Sequence, residues 1–155
     1  MTARERFDGL VAQLVTYIGT RPLDKSLEQD LNSRFPAGGT ELNTLQAACL
    51  AGIEEGWMCS REGGGIRYGR VTKPSEASGG FSVDVVDMNT VRGPHHGHPN
   101  GEIDLIMPLE TGAQFDGQGA GWLVYEAGTA HYPTVTGGRA LVLYLLPAGA
   151  IEFTK

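Results

Sequence analysis

The 155-residue chain contains four histidines, and three of them, His95, His96 and His98, fall within four positions; the fourth is His131. Imidazole binds first-row divalent metals and moves protons near neutral pH. The surrounding run is Gly93-Pro-His-His-Gly-His-Pro-Asn-Gly-Glu102. His96 and His98 are two apart, so on an extended segment both rings point to one side. Glu102 and Asp104 keep that parity and join the same face if no bulge intervenes. His95 has the opposite parity and is expected outside the ligand set, as a proton relay. A further ligand candidate ends the run Gly121-Trp-Leu-Val-Tyr-Glu-Ala-Gly-Thr-Ala-His131, which reads as a strand, a tight Gly128 turn and a histidine opening the next strand. His96, His98, Glu102 and His131 together suit one divalent metal, with iron, manganese and zinc all compatible. The competing reading is an exposed polar turn. Glu102, if it is not a ligand, and Glu126 are the carboxylates that can shuttle protons.

The elements that must position these residues change character near residue 60. Upstream, Phe7, Leu10, Val11, Leu14 and Ile18 form one apolar stripe at helical spacing. A second helix carries Leu23, Leu27 and Leu31 before Pro36-Ala-Gly-Gly stops it. Thr40 is the expected N-cap of a third helix bearing Leu42, Leu45, Cys49, Ile53 and Trp57. Three short helices fit the outline of a helix-turn-helix module, but no basic recognition face accompanies them. Residues 1–60 are therefore expected to form a helical segment that packs on the rest of the chain or builds a dimer interface. From residue 61 onward, glycine clusters punctuate runs of β-formers. Strands are expected over 66–71, 81–87, 102–109, 122–125, 131–135 and 140–146. Alternation of Phe81, Val83 and Val85 with Ser82 and Asp84 marks a half-buried strand. Closely spaced strands without interleaved helices indicate a sandwich or barrel.

Composition agrees. Glycine is abundant, 23 residues without a collagen-like period, as turn-rich β proteins require. A net charge of -6 excludes a general nucleic-acid binder. Cys49 and Cys59 form no CxxC pair and fit a reducing compartment. The charged start MTARERFDG lacks a signal-peptide core, and no apolar run reaches membrane-spanning length. A cytoplasmic protein that contacts no membrane is expected.

At this level the chain resembles the cupin superfamily. Its first motif, Gly…His-x-His-x-x-x-Glu, is matched by Gly93, His96, His98 and Glu102; the second, Pro-x-Gly-x-x-His, by Gly128 and His131 with Glu126 in place of proline. Val135 stands where the family has asparagine, and Leu109 where it has glycine. The resemblance spans roughly residues 60–150. It implies a small jelly-roll barrel over 61–155 with a metal inside, and a homodimer as the default assembly. A narrower resemblance, carried by the helical N-terminal part, His98-Pro-Asn-Gly-Glu-Ile-Asp-Leu-Ile-Met-Pro and Pro133-Thr-Val-Thr-Gly-Gly-Arg-Ala-Leu-Val-Leu-Tyr-Leu-Leu-Pro, is to the 4-hydroxylaminobenzoate lyase family of nitrobenzoate catabolism. It implies conversion of 4-hydroxylaminobenzoate to 3,4-dihydroxybenzoate with release of ammonia.

An aromatic carboxylate substrate needs a cation and a flat apolar slot. Arg92, Arg139 and Arg70 are candidate cations; Trp122, Tyr125, Tyr132 and Phe115 are candidate walls. Each has a competing role, as a solvated surface arginine or as barrel core. Two other readings fit three histidines and a carboxylate: a non-haem metal dioxygenase, and a small-molecule sensor.

Overall fold

The structure, a computed structural model, describes residues 1–154. Three helices precede ten strands: α1 (Ala3–Ile18), α2 (Lys25–Arg34) and α3 (Thr40–Glu55), then β1 (Arg61–Gly63), β2 (Ile66–Thr72), β3 (Phe81–Arg92), β4 (His96–His98), β5 (Glu102–Pro108), β6 (Gln114–Phe115), β7 (Gly121–Tyr125), β8 (Thr129–His131), β9 (Thr134–Pro147) and β10 (Glu152–Phe153). The expectation of a mostly β chain with an N-terminal helical segment holds. Local chemistry starts each helix. Thr2 and Glu5 form a reciprocal capping box on α1, and the Asp24 side chain caps α2. The third helix differs from expectation: Gly39 is its N-cap, with no side-chain bond, and Thr40 is already its first helical residue.

Seven strands form the large antiparallel sheet, in the order β1-β2-β3-β9-β5-β7, with β6 on the first residues of β9. The remaining sheet is small, β10-β4-β8. Strand alternation gives the large sheet two different faces. Phe81, Val83, Val85, Ile103, Leu105, Trp122, Val124, Leu141, Leu143 and Leu145 point outward into one core shared with Phe7, Leu14, Ile18, Leu31 and Leu45 of the helices. Ile106, Leu123, Val142, Tyr144 and Leu146 point inward, in a core with Phe115 and Val135. The apolar stripes read from the helices therefore bury against the sheet.

The second helix also seals an edge. Strand β7 ends the large sheet, and an open edge invites pairing with another chain. Asn32 of α2 bonds both backbone groups of Trp122, at 3.1 and 2.9 Å, and Glu28 accepts from the Val124 N–H at 2.8 Å. One expected strand is split. Residues 131–135 were expected to run together, but β8 ends at His131 and β9 starts at Thr134. Pro133 between them has no N–H for a ladder, and its carbonyl accepts from Gly93 instead, at 2.6 Å.

Candidate metal centre

The three-residue strand β4 holds His96 and His98 with both side chains buried on one face, as their spacing requires. A tight turn then delivers Glu102 to the same place. Gly101 donates to the His98 carbonyl at 3.1 Å and sits at φ +89°, a left-handed conformation that favours glycine. A Cβ there would meet the Tyr125 carbonyl at 2.8 Å. His131 arrives from β8, which pairs with β4 so that His96 and His131 are direct partners. The Gly128 N–H bonds the His98 carbonyl at 2.8 Å and locks that hairpin against β4.

One ligand atom from each of His96, His98, Glu102 and His131 lies within 4.8 Å of the others. Such atoms share a centre within about 3 Å, close to the ~2.0–2.2 Å reach of a metal bond. His96 Nε2 is 3.3 Å from Glu102 Oε1; His98 Nε2 and His131 Nε2 are 3.2 and 3.6 Å from Oε2; the Nε2 atoms of His96 and His131 are 3.1 Å apart. Yet His98 Nε2 and Glu102 Oε2 have no hydrogen-bond partner, although both are buried. Four ligand atoms crowded around one point, two of them buried without any hydrogen bond, fit a cation. The donor set, three imidazoles and one carboxylate, suits a first-row divalent ion.

Further groups orient the ligands. His98 Nδ1 lies 3.1 Å from Thr129 Oγ1, and His131 Nδ1 lies 2.5 Å from Asp116 Oδ2. Asp116 also accepts from the Tyr125 hydroxyl and, at 2.9 Å, from the Thr134 N–H. A ring nitrogen engaged in this way fixes the tautomer and leaves Nε2 directed at the cluster. Burial opposes charge on His131, but its bonds to Asp116 and Glu102 prevail and raise its pKa to about 9. Burial likewise opposes charge on Glu102, but contacts with His131, His96 and His98 hold it well below the usual carboxylate range. Asp116 escaped sequence reading. Its signal was the Asp116-Gly117 pair, a two-residue hairpin with φ of 51° and 79° and reciprocal bonds between Phe115 and Gln118.

The remaining candidates divide. Tyr125 packs at the cluster, its ring 4.6 Å from His131 and 5.3 Å from His98, and Phe115 lies 6.1 Å from His131. Tyr132 is exposed, 4.7 Å from the His95 ring, with the Arg92 guanidinium 4.3 Å above its own ring. His95 bonds Thr154, outside the ligand set. Glu126 is exposed in the turn before β8, where its backbone carbonyl accepts from Thr129. Trp122 and Arg139 are a correction, because strand parity sends them to the opposite side of the sheet. The Trp122 indole N–H donates to Phe35, and Arg139 makes two 2.8 Å bonds to Asp87. Arg70 is held by Asp84 at 2.8 Å. Among the described residues, Arg92 alone of the three candidate cations pairs with no carboxylate.

Residues 9–153 match the model of the PnbB family, described as 4-hydroxylaminobenzoate lyase. The chain belongs to this family. Curated 4-hydroxylaminobenzoate lyases agree: one from Nocardioides sp. (strain LMS-CY) is 34% identical over 142 residues, covering 86% of this chain and 84% of the relative. Another, from Pseudomonas putida, is 29% identical over 170 residues, covering 99% and 97%. Among solved structures, an RmlC-like cupin protein from Ralstonia eutropha JMP134 superposes with a TM-score of 0.47 at 11% identity, over 62% of this chain and 64% of that one. As a member of the lyase family, the chain is an enzyme, and the cluster offers its one concentration of buried metal-ligating groups among the described residues.

Proposed function

We propose that the chain is a metal-dependent lyase that converts 4-hydroxylaminobenzoate, or a closely similar aromatic hydroxylamine acid, to 3,4-dihydroxybenzoate and ammonia. The family match over residues 9–153 carries the reading, and the buried cluster supplies chemistry it needs. One water enters and one ammonia leaves, so the reaction is rearrangement plus hydrolysis without net oxidation. His96, His98, Glu102 and His131 would hold one divalent ion. When bound, that ion supplies Lewis acidity to help the hydroxylamino oxygen depart and to activate water near neutral pH.

The chain's own groups do the rest. Arg92, stacked on Tyr132, would bind the substrate carboxylate, and Tyr132 would give the ring an apolar surface. Tyr125 and Phe115 form the inner wall. His95, beside Tyr132, would relay protons between the site and solvent. Burial of the ligands keeps bulk water from competing, which strengthens each polar contact inside.

The test is anaerobic incubation of metal-loaded protein with 4-hydroxylaminobenzoate, with ammonia and catechol product quantified. Equal amounts of both, formed without oxygen, are expected. Strict oxygen dependence would replace the lyase reading with a dioxygenase. In the same assay Arg92→Ala should raise KM about tenfold or more, because a two-pronged arginine–carboxylate contact is lost. Its metal content should not change, and Arg92→Lys should recover only part of the loss, since a point charge lacks the fork.

A further inference from the structure

Asp104 is the second inward carboxyl of β5, one inner-face position beyond Glu102. It is fully buried, and neither oxygen has a hydrogen-bond partner in the protein. Its strand neighbours are Leu123 on β7 and Tyr144 on β9. Asp104 lies two residues beyond Glu102 on the same face of β5, so it faces the cluster side of the sheet. It is not one of the four groups whose ligand atoms converge within 4.8 Å. Two buried acceptor atoms without donors are costly in a native core, where such groups are almost always satisfied. An apolar residue at this position would remove that cost and continue the inward row with Ile106. A carboxyl kept there despite its cost suggests a partner that only the loaded site contains.

We propose that Asp104 accepts hydrogen bonds from a donor group held at the occupied metal centre, either a water completing the ion's coordination or the N–H and O–H of the substrate's hydroxylamino group. Asp104 would thereby steady that donor group. The inference rests on the metal reading above. It adds a residue that the four-ligand set does not include.

The experiment compares wild type, Asp104→Leu and Asp104→Asn, each metal-free and loaded with cobalt(II). Thermal unfolding, equilibrium metal binding and the visible cobalt spectrum are read together. In metal-free protein, Asp104→Leu should unfold at a higher temperature than wild type, because the unpartnered carboxyl is gone. Its cobalt affinity should fall about tenfold or more, as when groups supporting metal ligands are removed, and the spectrum should shift. Asp104→Asn, which keeps one acceptor, should lie between them; it also serves if the leucine variant does not fold. Two ligands separate the donor's source. If the substrate donates, Asp104→Leu should weaken 4-aminobenzoate, which has N–H groups, more than 4-nitrobenzoate, which has none. If water donates, both should weaken alike. Wild-type cobalt affinity and spectrum in both variants, together with wild-type binding of both ligands, would overturn the inference while leaving the metal reading intact. Failure of wild type to bind cobalt would overturn both.

Discussion

The two faces of the large sheet treat buried charge in opposite ways. On the helix-facing side, Asp87 is nearly buried but saturated, with two 2.8 Å bonds from Arg139 and a 2.9 Å contact from Arg67. On the inner face, Glu102 and Asp104 are equally buried, and three of their four oxygens go without a hydrogen bond. The same strands build both faces, so fold alone does not explain the contrast. Paired charge on the outer face anchors β2, β3 and β9 to one another. Unpaired acceptors on the inner face are what the proposed ion would complete. The difference separates the residues that hold the barrel from those that use it.

The largest effect should come from an inner-face ligand. His98→Ala should abolish metal retention and reduce anaerobic turnover by about a thousandfold or more, given the several kcal/mol a metal supplies. The far-UV circular dichroism should remain that of wild type, since the helix-facing core is untouched. An outer-face cavity should do the reverse. Leu143→Ala, in the core beneath the helices, should cost about 2–5 kcal/mol in chemical denaturation. The protein that remains folded should bind metal normally. If either variant crosses over, the division between the faces fails.

Smaller effects sharpen the comparison. Asp116→Ala should weaken metal binding about 10–100-fold by freeing the His131 ring. The secondary structure should not change, because Asp116 acts through the hairpin and the histidine. The smallest effect concerns Asp87. Burial opposes its charge, but Arg139 and Arg67 outweigh burial and lower its pKa below the ordinary 3.8. A carboxylate lowered in this way stabilises the fold above its unfolded value, and the contribution disappears as pH falls through the folded value. Unfolding temperature should therefore drop on acidification below about pH 4. Asp87→Asn should flatten that limb of the profile and leave turnover at neutral pH unchanged.

Much of the centre was legible because short-range rules govern it. The two-residue spacing of His96 and His98 fixed their shared face, and the Gly128 turn before His131 foretold how the chain returns; Glu102 was expected by strand parity, whereas a turn at Gly101 delivers it. Helix positions followed from apolar stripes that had to find a partner surface. What local pattern does not carry is which sheet face a residue joins. Trp122 and Tyr125 are both aromatic and three apart on one strand, so they necessarily face opposite ways. Aromatic character made both candidates for the substrate wall, and parity turns only Tyr125 toward the histidine cluster. Arg139 was equally eligible as a free cation until its partner, 52 positions earlier, became visible. Such pairings across distant strands are set by register, which no local window contains.

The most direct test of the inner face is a titration of metal-free protein with cobalt(II), counting tightly bound ions per chain in wild type and in His98→Ala. One ion per wild-type chain, with the tight site absent from the variant, is the expected result. Wild type that takes up no ion, or a variant that takes up as much as wild type with equal affinity, would contradict the assignment of His96, His98, Glu102 and His131 as a metal centre.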